Sequence, residues 1–224
     1  MRIVLLGTGT DVGKTYVGVA LARELQRLAP SRRVFALKPV ESGVVRGVAV
    51  DARALEAAAP GTGYPSPHPL YAFEPPVSPH LAARHVNVSI DIERIAAWLR
   101  DAEAEAPADS IYIVETAGGV FSPLSAALTN LDLARALEPA IWVLVVPDAL
   151  GALHDSRAAL MAMTQAARAP DHVVVNAARL PDAATGSTSH ELAVLGLVQP
   201  AATLSRGDRR GIAPLAALLL SNTL

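Results

Sequence analysis

Nine residues constrain this chain more than any others: Gly7-Thr8-Gly9-Thr10-Asp11-Val12-Gly13-Lys14-Thr15. They follow a short apolar run, Ile3-Val4-Leu5-Leu6, and precede a stripe of Val17, Leu21, Leu25 and Leu28 at helical spacing. Strand, glycine-rich turn and helix in that order make a phosphate-binding loop. Glycines let the backbone curl until several N–H groups face one point. The helix adds the positive end of its dipole. Lys14 supplies a cation to the β- and γ-phosphates of a nucleotide, and the Thr15 hydroxyl suits Mg²⁺. Gly9, Thr10, Asp11, Val12, Gly13, Lys14, Thr15 and Tyr16 are therefore the expected nucleotide-binding residues. The strict Walker pattern has glycine at the position of Thr8, and here Gly7 and Gly9 flank it.

Short apolar runs alternate with helix-length segments along the rest of the chain. Strands are expected at residues 2–6, 33–37, 111–115, 141–146, 172–176 and 193–198. Their near-continuous apolar character fits strands covered on both faces. Helices are expected from the stripe 17–28, from Ile92, Ile95, Ala96 and Leu99 with Asp91 or Ser89 as N-cap, and at 150–168 and 212–220. The alternation implies an α/β, doubly wound fold: a mainly parallel sheet with helices on both faces, in three αβα layers. The Pro- and Gly-rich segment 60–79 reads as an ordered functional loop, and 181–189 as a mobile surface loop. Residues 1–224 read as one domain.

Composition narrows the function. A formal net charge of −2, without a Lys/Arg cluster, points away from nucleic acid and from lipid surfaces. The absence of cysteine excludes disulfides, thiolate chemistry and Cys-type zinc sites, and fits a cytoplasmic protein. No run approaches the roughly 20 apolar residues of a membrane helix. The histidines lack metal-site spacing; His68 and His190 fall in loops, and His80 and His85 share no helix face. A guanine-reading Asn-Lys-x-Asp is missing, the nearest segment being Asn176-Ala177-Ala178-Arg179. Residues 7–12 contain no lysine, unlike the loop of partitioning ATPases.

Further segments stand in a telling order: Lys38-Pro39-Val40-Glu41-Ser42-Gly43, Asp51, Tyr71 to His80 with its Ser78-Pro79-His80, Glu115-Thr116-Ala117-Gly118-Gly119-Val120-Phe121-Ser122-Pro123-Leu124, Leu150-Gly151 and Asn176. In this order and spacing, over roughly residues 1–200, the chain resembles the dethiobiotin synthetase family. The resemblance implies ring closure of 7,8-diaminopelargonate with CO₂ and ATP, using Mg²⁺. One amine captures CO₂ as a carbamate, whose oxygen attacks the γ-phosphate. The second amine attacks the resulting carbamic–phosphoric anhydride and expels phosphate.

The resemblance also implies site roles, which charge logic supports. Lys14, Lys38 and Thr10 are the expected catalytic groups, with Lys38 serving the carbamate and the moving phosphoryl group. Thr15, Asp51 and Glu115 form a hard-oxygen set for Mg²⁺. Ser42, Ala117 and Gly118 are expected at the diamine. Asn176 offers an amide edge to adenine. The helix N-terminus at Gly151, Ala152 and Leu153, contributed by a partner subunit, is expected to take the substrate carboxylate, which implies a homodimer.

Departures from the family pattern include Gly9, Asp11, Thr116 and His154, with Thr116 expected to crowd the Mg²⁺ site or the turn. Asp51 reads either as a metal ligand or as a helix N-cap. The loop after the sixth expected strand reads Leu197-Val198-Gln199-Pro200, and residues 201–224 match the family poorly. A related ligase acting on another amine or carboxylate, and a nucleotide-binding switch, are the competing readings.

Overall fold

The computed structural model of the chain describes residues 1–59, 63–177 and 179–221. In chain order the elements are β1 (Arg2–Gly7), α1 (Lys14–Leu28), β2 (Val34–Leu37), β3 (Val40–Ser42), α2 (Val50–Ala58), β4 (Tyr71–Phe73), α3 (Pro79–His85), α4 (Ile92–Glu105), β5 (Ile111–Glu115), α5 (Asn130–Ala136), β6 (Ile141–Asp148), α6 (Ala152–Ala166), β7 (His172–Ala177), α7 (Thr188–Val194), β8 (Ala202–Leu204), a 3₁₀ turn (Arg210–Ile212) and α8 (Ala213–Ser221). The central sheet runs β2-β5-β1-β6-β7-β8, and every pairing is parallel. β3 and β4 form a separate parallel pair.

Alternation along each strand builds two cores. Ile3, Leu5, Ile111, Ile113, Val143 and Val145 face one side and pack with Val17, Leu21 and Leu25 of α1, Leu55 of α2 and Leu215 and Leu219 of α8. Val4, Leu6, Tyr112, Val114, Leu144 and Val146 face the other, against Ile95 and Leu99 of α4, Leu131 of α5, Met163 of α6 and Leu192 of α7. The expected three-layer, doubly wound architecture is what the chain adopts. Each fully buried leucine or isoleucine stabilises it by about 1.5–3 kcal/mol. Asp91, rather than Ser89, caps α4, accepting from the amides of Glu93 at 2.9 Å and Arg94 at 3.3 Å.

Two expectations are corrected. Residues 193–198 are not a strand; Ala193 and Val194 end α7, and Gly196, with φ +64°, turns the chain. Gly196 N bonds Ala193 O at 3.0 Å and Leu197 N bonds Leu192 O at 3.0 Å, so orphan helix carbonyls are satisfied by a glycine C-cap. The sixth sheet strand is β8. Segment 181–189 is held down rather than loose. Asp148 accepts from Gly186 N at 2.7 Å and Thr188 N at 3.2 Å, and Asp182 accepts from Leu150 N at 2.9 Å.

In segment 60–79, Pro60, Gly61 and Thr62 lie outside the described residues. Beyond them the segment is tied to neighbouring helices: the Tyr64 hydroxyl donates to Ala59 O at the end of α2 at 3.1 Å, and Trp98 Nε1 of α4 donates to Pro67 O at 3.1 Å. Helices α2, α3, α5 and α7 carry no long apolar stripe and were not legible as helices.

Candidate active site

In a parallel sheet the strand C-termini share one edge, where open α/β sheets bind ligands. Leu5 lies beside Glu115 and Gly7 beside Val145, so the loop after β1 sits between those after β5 and β6. Gly13 adopts φ +88° and caps α1, and no side chain competes for the helix's open N–H groups. Gly7 is required for close packing: a Cβ there would stand 2.9 Å from Val12 Cγ2 and 3.1 Å from Lys14 Nζ. Thr8, standing where strict loops have glycine, donates its amide to Val145 O at 3.1 Å.

A cavity of about 440 Å³ opens over this loop, lined by Thr10, Asp11, Gly13, Lys14, Thr15, Tyr16, Lys38, Asp51, Glu115, Gly118 and Asn176 among others. Lys14 and Lys38 thus border one open space. Lys38 Nζ donates to Asp51 Oδ2 at 2.5 Å and to Glu115 Oε1 at 2.8 Å, and Thr15 Oγ1 donates to the same Glu115 oxygen at 2.9 Å. Lys14 Nζ reaches Gly9 O at 3.2 Å. Burial disfavours the charge on both lysines. For Lys14 burial dominates, despite Glu115, and its pKa is pushed down to about 8. For Lys38 burial is outweighed by Glu115 and Asp51, and its pKa rises above the ordinary lysine value. Two carboxylates favour the charge on Lys38, whereas the charge on Lys14 is one that an incoming anion would favour.

Glu115 is 1 % exposed, and its Oε2 is buried without a hydrogen-bond partner. A buried carboxylate oxygen left open beside a threonine hydroxyl and a second carboxylate fits a hard divalent cation. Among the described residues no three His, Cys, Asp or Glu gather as a metal cage. Thr15, Asp51 and Glu115 would need nucleotide oxygens to complete the shell, as Mg²⁺ sites ordinarily do.

A second cavity of about 410 Å³ meets the first at Thr10, Asp11 and Gly118 and is lined further by Ser42, Ala117, Ser122 and the segment Pro76 to Pro79. The sequence-expected diamine residues Ser42, Ala117 and Gly118 are brought together here. Gly118, with φ +83°, lines both spaces, whereas Gly119 approaches the phosphate loop itself: its Cβ would lie 3.2 Å from Gly9 Cα. Thr116 is corrected: its hydroxyl turns into the sheet and donates to Leu5 O at 2.9 Å, so it crowds neither cavity.

Val12 points into the core and Gly9 lines a neighbouring groove, so neither lines the nucleotide cavity. Asn176 Nδ2 is committed to Val12 O at 3.1 Å, leaving its buried Oδ1 as the open acceptor. Gly151, Ala152 and Leu153 open α6 and line neither cavity of their own chain.

Several contributors were missed. Glu41 is buried and accepts from Asp51 N at 3.1 Å and Ala52 N at 2.8 Å, so it caps α2 and frees Asp51 to face Lys38. Asn130 donates to Ala117 O at 2.6 Å and Gly119 O at 2.8 Å and fixes that turn. Arg179, Arg206 and Gly207 line the nucleotide cavity. Because β8 ends at Leu204, the loop after the sixth sheet strand is 205–209, and its Arg206 and Gly207, not Leu197-Val198-Gln199-Pro200, line this cavity. Only the displaced strand assignment hid Arg206 and Gly207.

A family model described as an AAA domain matches residues 1–207. The MinD cell division protein of Aquifex aeolicus superposes with a TM-score of 0.56 at 15% identity, covering 98% of this chain and 97% of that one. A ParA family ATPase from Chlorobium tepidum TLS gives 0.53 at 14% identity, over 100% and 92%. These likenesses show the P-loop fold alone. The ATP-dependent dethiobiotin synthetase BioD of Xanthomonas oryzae pv. oryzae is 38% identical over 170 residues, 74% of this chain and 70% of that protein. The ATP-dependent dethiobiotin synthetase BioD 1 of Salmonella typhi is 32% identical over 220 residues, 95% of this chain and 91% of that protein. Identity of this order, sustained almost end to end, means that the chain belongs to the family of ATP-dependent dethiobiotin synthetases.

Proposed function

We propose that this chain closes the cyclic urea of dethiobiotin from 7,8-diaminopelargonate and CO₂, converting ATP to ADP and phosphate. The observation that carries the reading is the pair of joined cavities: one bordered by both lysines over the phosphate loop, the other reaching Ser42 past Thr10 and Gly118.

The triphosphate lies along Gly9 to Tyr16, its β/γ end against the Lys14 ammonium and the open N–H groups of α1. Asn176 Oδ1 accepts from the exocyclic amine of adenine. Ser42 and the carbonyls of the Ala117–Gly118 turn hold the diamine. One amine attacks CO₂, forming a carbon–nitrogen bond and losing a proton. The carbamate oxygen then attacks the γ-phosphorus as the bond to ADP breaks. Lys38 gathers the carbamate and phosphoryl oxygens in line, and Thr10 donates to them; their work is positioning and charge stabilisation. The second amine attacks the carbonyl carbon, loses its proton, and phosphate departs with the electron pair. Thr15, Asp51 and Glu115 would hold Mg²⁺, which supplies charge neutralisation to the β- and γ-oxygens when bound. The long apolar chain of the substrate ends in a carboxylate that the N-terminus of α6, at Gly151, Ala152 and Leu153 of a second copy, would receive; the active form is thus a homodimer. Among the described residues no helix is long and apolar enough to cross a membrane, and we place the enzyme in the cytoplasm.

The test is ADP release measured with ATP and Mg²⁺, adding diamine and bicarbonate separately and together. Turnover is expected only with both. Equal ADP release without the diamine would refute the assignment.

A further inference from the structure

One buried side chain outside the reacting groups bonds the backbone of Lys38. β2 is an outer strand of the sheet, so N–H groups on its free side have no neighbouring strand. Side chains of the Pro-rich segment satisfy two of them. Ala36 N donates to Tyr64 Oη at 3.2 Å, and Lys38 N donates to His68 Nε2 at 3.0 Å. The His68 side chain is 5% exposed. Its ring packs on Tyr64, with centroids 5.7 Å apart, and on Trp98 of α4, at 6.1 Å and 25°. A ring nitrogen that accepts an N–H carries no proton, so the imidazole is neutral with its proton on Nδ1. Nδ1 faces Glu56 Oε2 at 3.7 Å.

We propose that His68 is a positioning residue for Lys38: its neutral imidazole pins the backbone where β2 ends and so aims the Lys38 ammonium at the reacting oxygens. Lys38 is the residue immediately after β2, and the bond acts on the atom adjoining the Cα from which the long side chain springs. No ladder partner on that side would otherwise fix it, and misplacement by about 1 Å can cost a hundredfold in rate. The proposal rests on the role given to Lys38 above.

The device works in one protonation state. Protonating Nε2 would set one N–H against another. Burial opposes protonation and Glu56 of α2 favours it; the Tyr64 phenol and Trp98 indole are uncharged at neutral pH. Burial prevails, and the His68 pKa lies below the ordinary histidine value. The bond is therefore intact at neutral pH and is lost as pH falls through that lowered pKa.

The experiment measures kcat and KM against pH for the wild type, His68→Phe and His68→Gln, with Lys38→Ala alongside and circular dichroism as the folding check. His68→Phe keeps the ring packing and removes the acceptor. It is expected to lower kcat about tenfold to a hundredfold, with the KM for ATP changed less than about twofold. His68→Gln places an oxygen near the position of Nε2 and does not titrate. It is expected to recover most of kcat and to lose the acid limb of the wild-type profile. Wild-type kcat in folded His68→Phe, or an unchanged acid limb in His68→Gln, overturns the proposal. If His68→Phe does not fold, the His68→Gln profile decides alone. Full turnover in Lys38→Ala would instead remove the Lys38 role beneath it.

Discussion

Replacing Lys38 by methionine separates two things its ammonium does: it stabilises the empty site, and it occupies carboxylates that a metal would use. Methionine nearly conserves the shape, so the change is one of charge rather than volume. Glu115 is then left 1 % exposed, with no cation at its Oε1 and no partner at its Oε2. Breaking a buried ion pair from one side costs about 3–5 kcal/mol. Three features hold the loss near the lower figure. Thr15 still donates to Glu115 at 2.9 Å, Lys14 still acts on it electrostatically, and the Asp51 side chain is 43% exposed and can turn to water. About 3 kcal/mol, at about 2–4 °C per kcal/mol for a chain of this size, is a fall in Tm of about 6–12 °C. With no ammonium competing, the variant is expected to bind Mg²⁺ without nucleotide more tightly than the wild type, and to recover part of the lost Tm when Mg²⁺ is added. Adding Glu115→Gln removes the orphaned charge, so the double variant is expected to melt above Lys38→Met. Thermal unfolding at neutral pH, with and without Mg²⁺, reads all three. A single variant that melts with the wild type, or a double variant no more stable than the single, would refute the argument.

Lys14 ties stability and affinity to pH with opposite signs. Its folded pKa of about 8 lies below the unfolded value, so the empty protein is expected to gain stability as pH rises from about 8 toward 10.4, while ATP affinity falls over the same window. Melting and binding series should show both trends in the wild type and neither in Lys14→Met. In Gly13→Ala a Cβ at φ +88° would stand 2.0 Å from Asn176 Nδ2. A strain of about 1–3 kcal/mol is expected to weaken ATP binding about tenfold to a hundredfold, measured by calorimetry. Asn130→Leu leaves the carbonyls of Ala117 and Gly119 without their donor. It is expected to cost about 1–3 kcal/mol in denaturant melts and to raise the KM for the diamine more than that for ATP.

The sequence alone determined the elements whose signal is local. A strand, a glycine-rich turn and a lysine-threonine helix start suffice to make an anion cradle, because every contact is made within about ten residues of chain. Strands buried on both faces read as unbroken apolar runs, and so the parallel, doubly wound sheet was legible. The short α7 was not: the four apolar residues Leu192 to Leu195 before a glycine serve a helix end as well as a strand, and the choice fell to packing of Leu192 and the cap at Gly196. Tertiary structure alone decided which polar side chains meet. Residues 38, 51 and 115 come together because β2 and β5 are neighbours and because Glu41 starts α2 at the right place. It also turned Thr116 into the sheet, brought Arg206 to the cavity over the phosphate loop, and set His68 on an edge amide 30 residues away. Such meetings depend on which strand lies beside which, a property of the closed chain as a whole that no local spacing encodes.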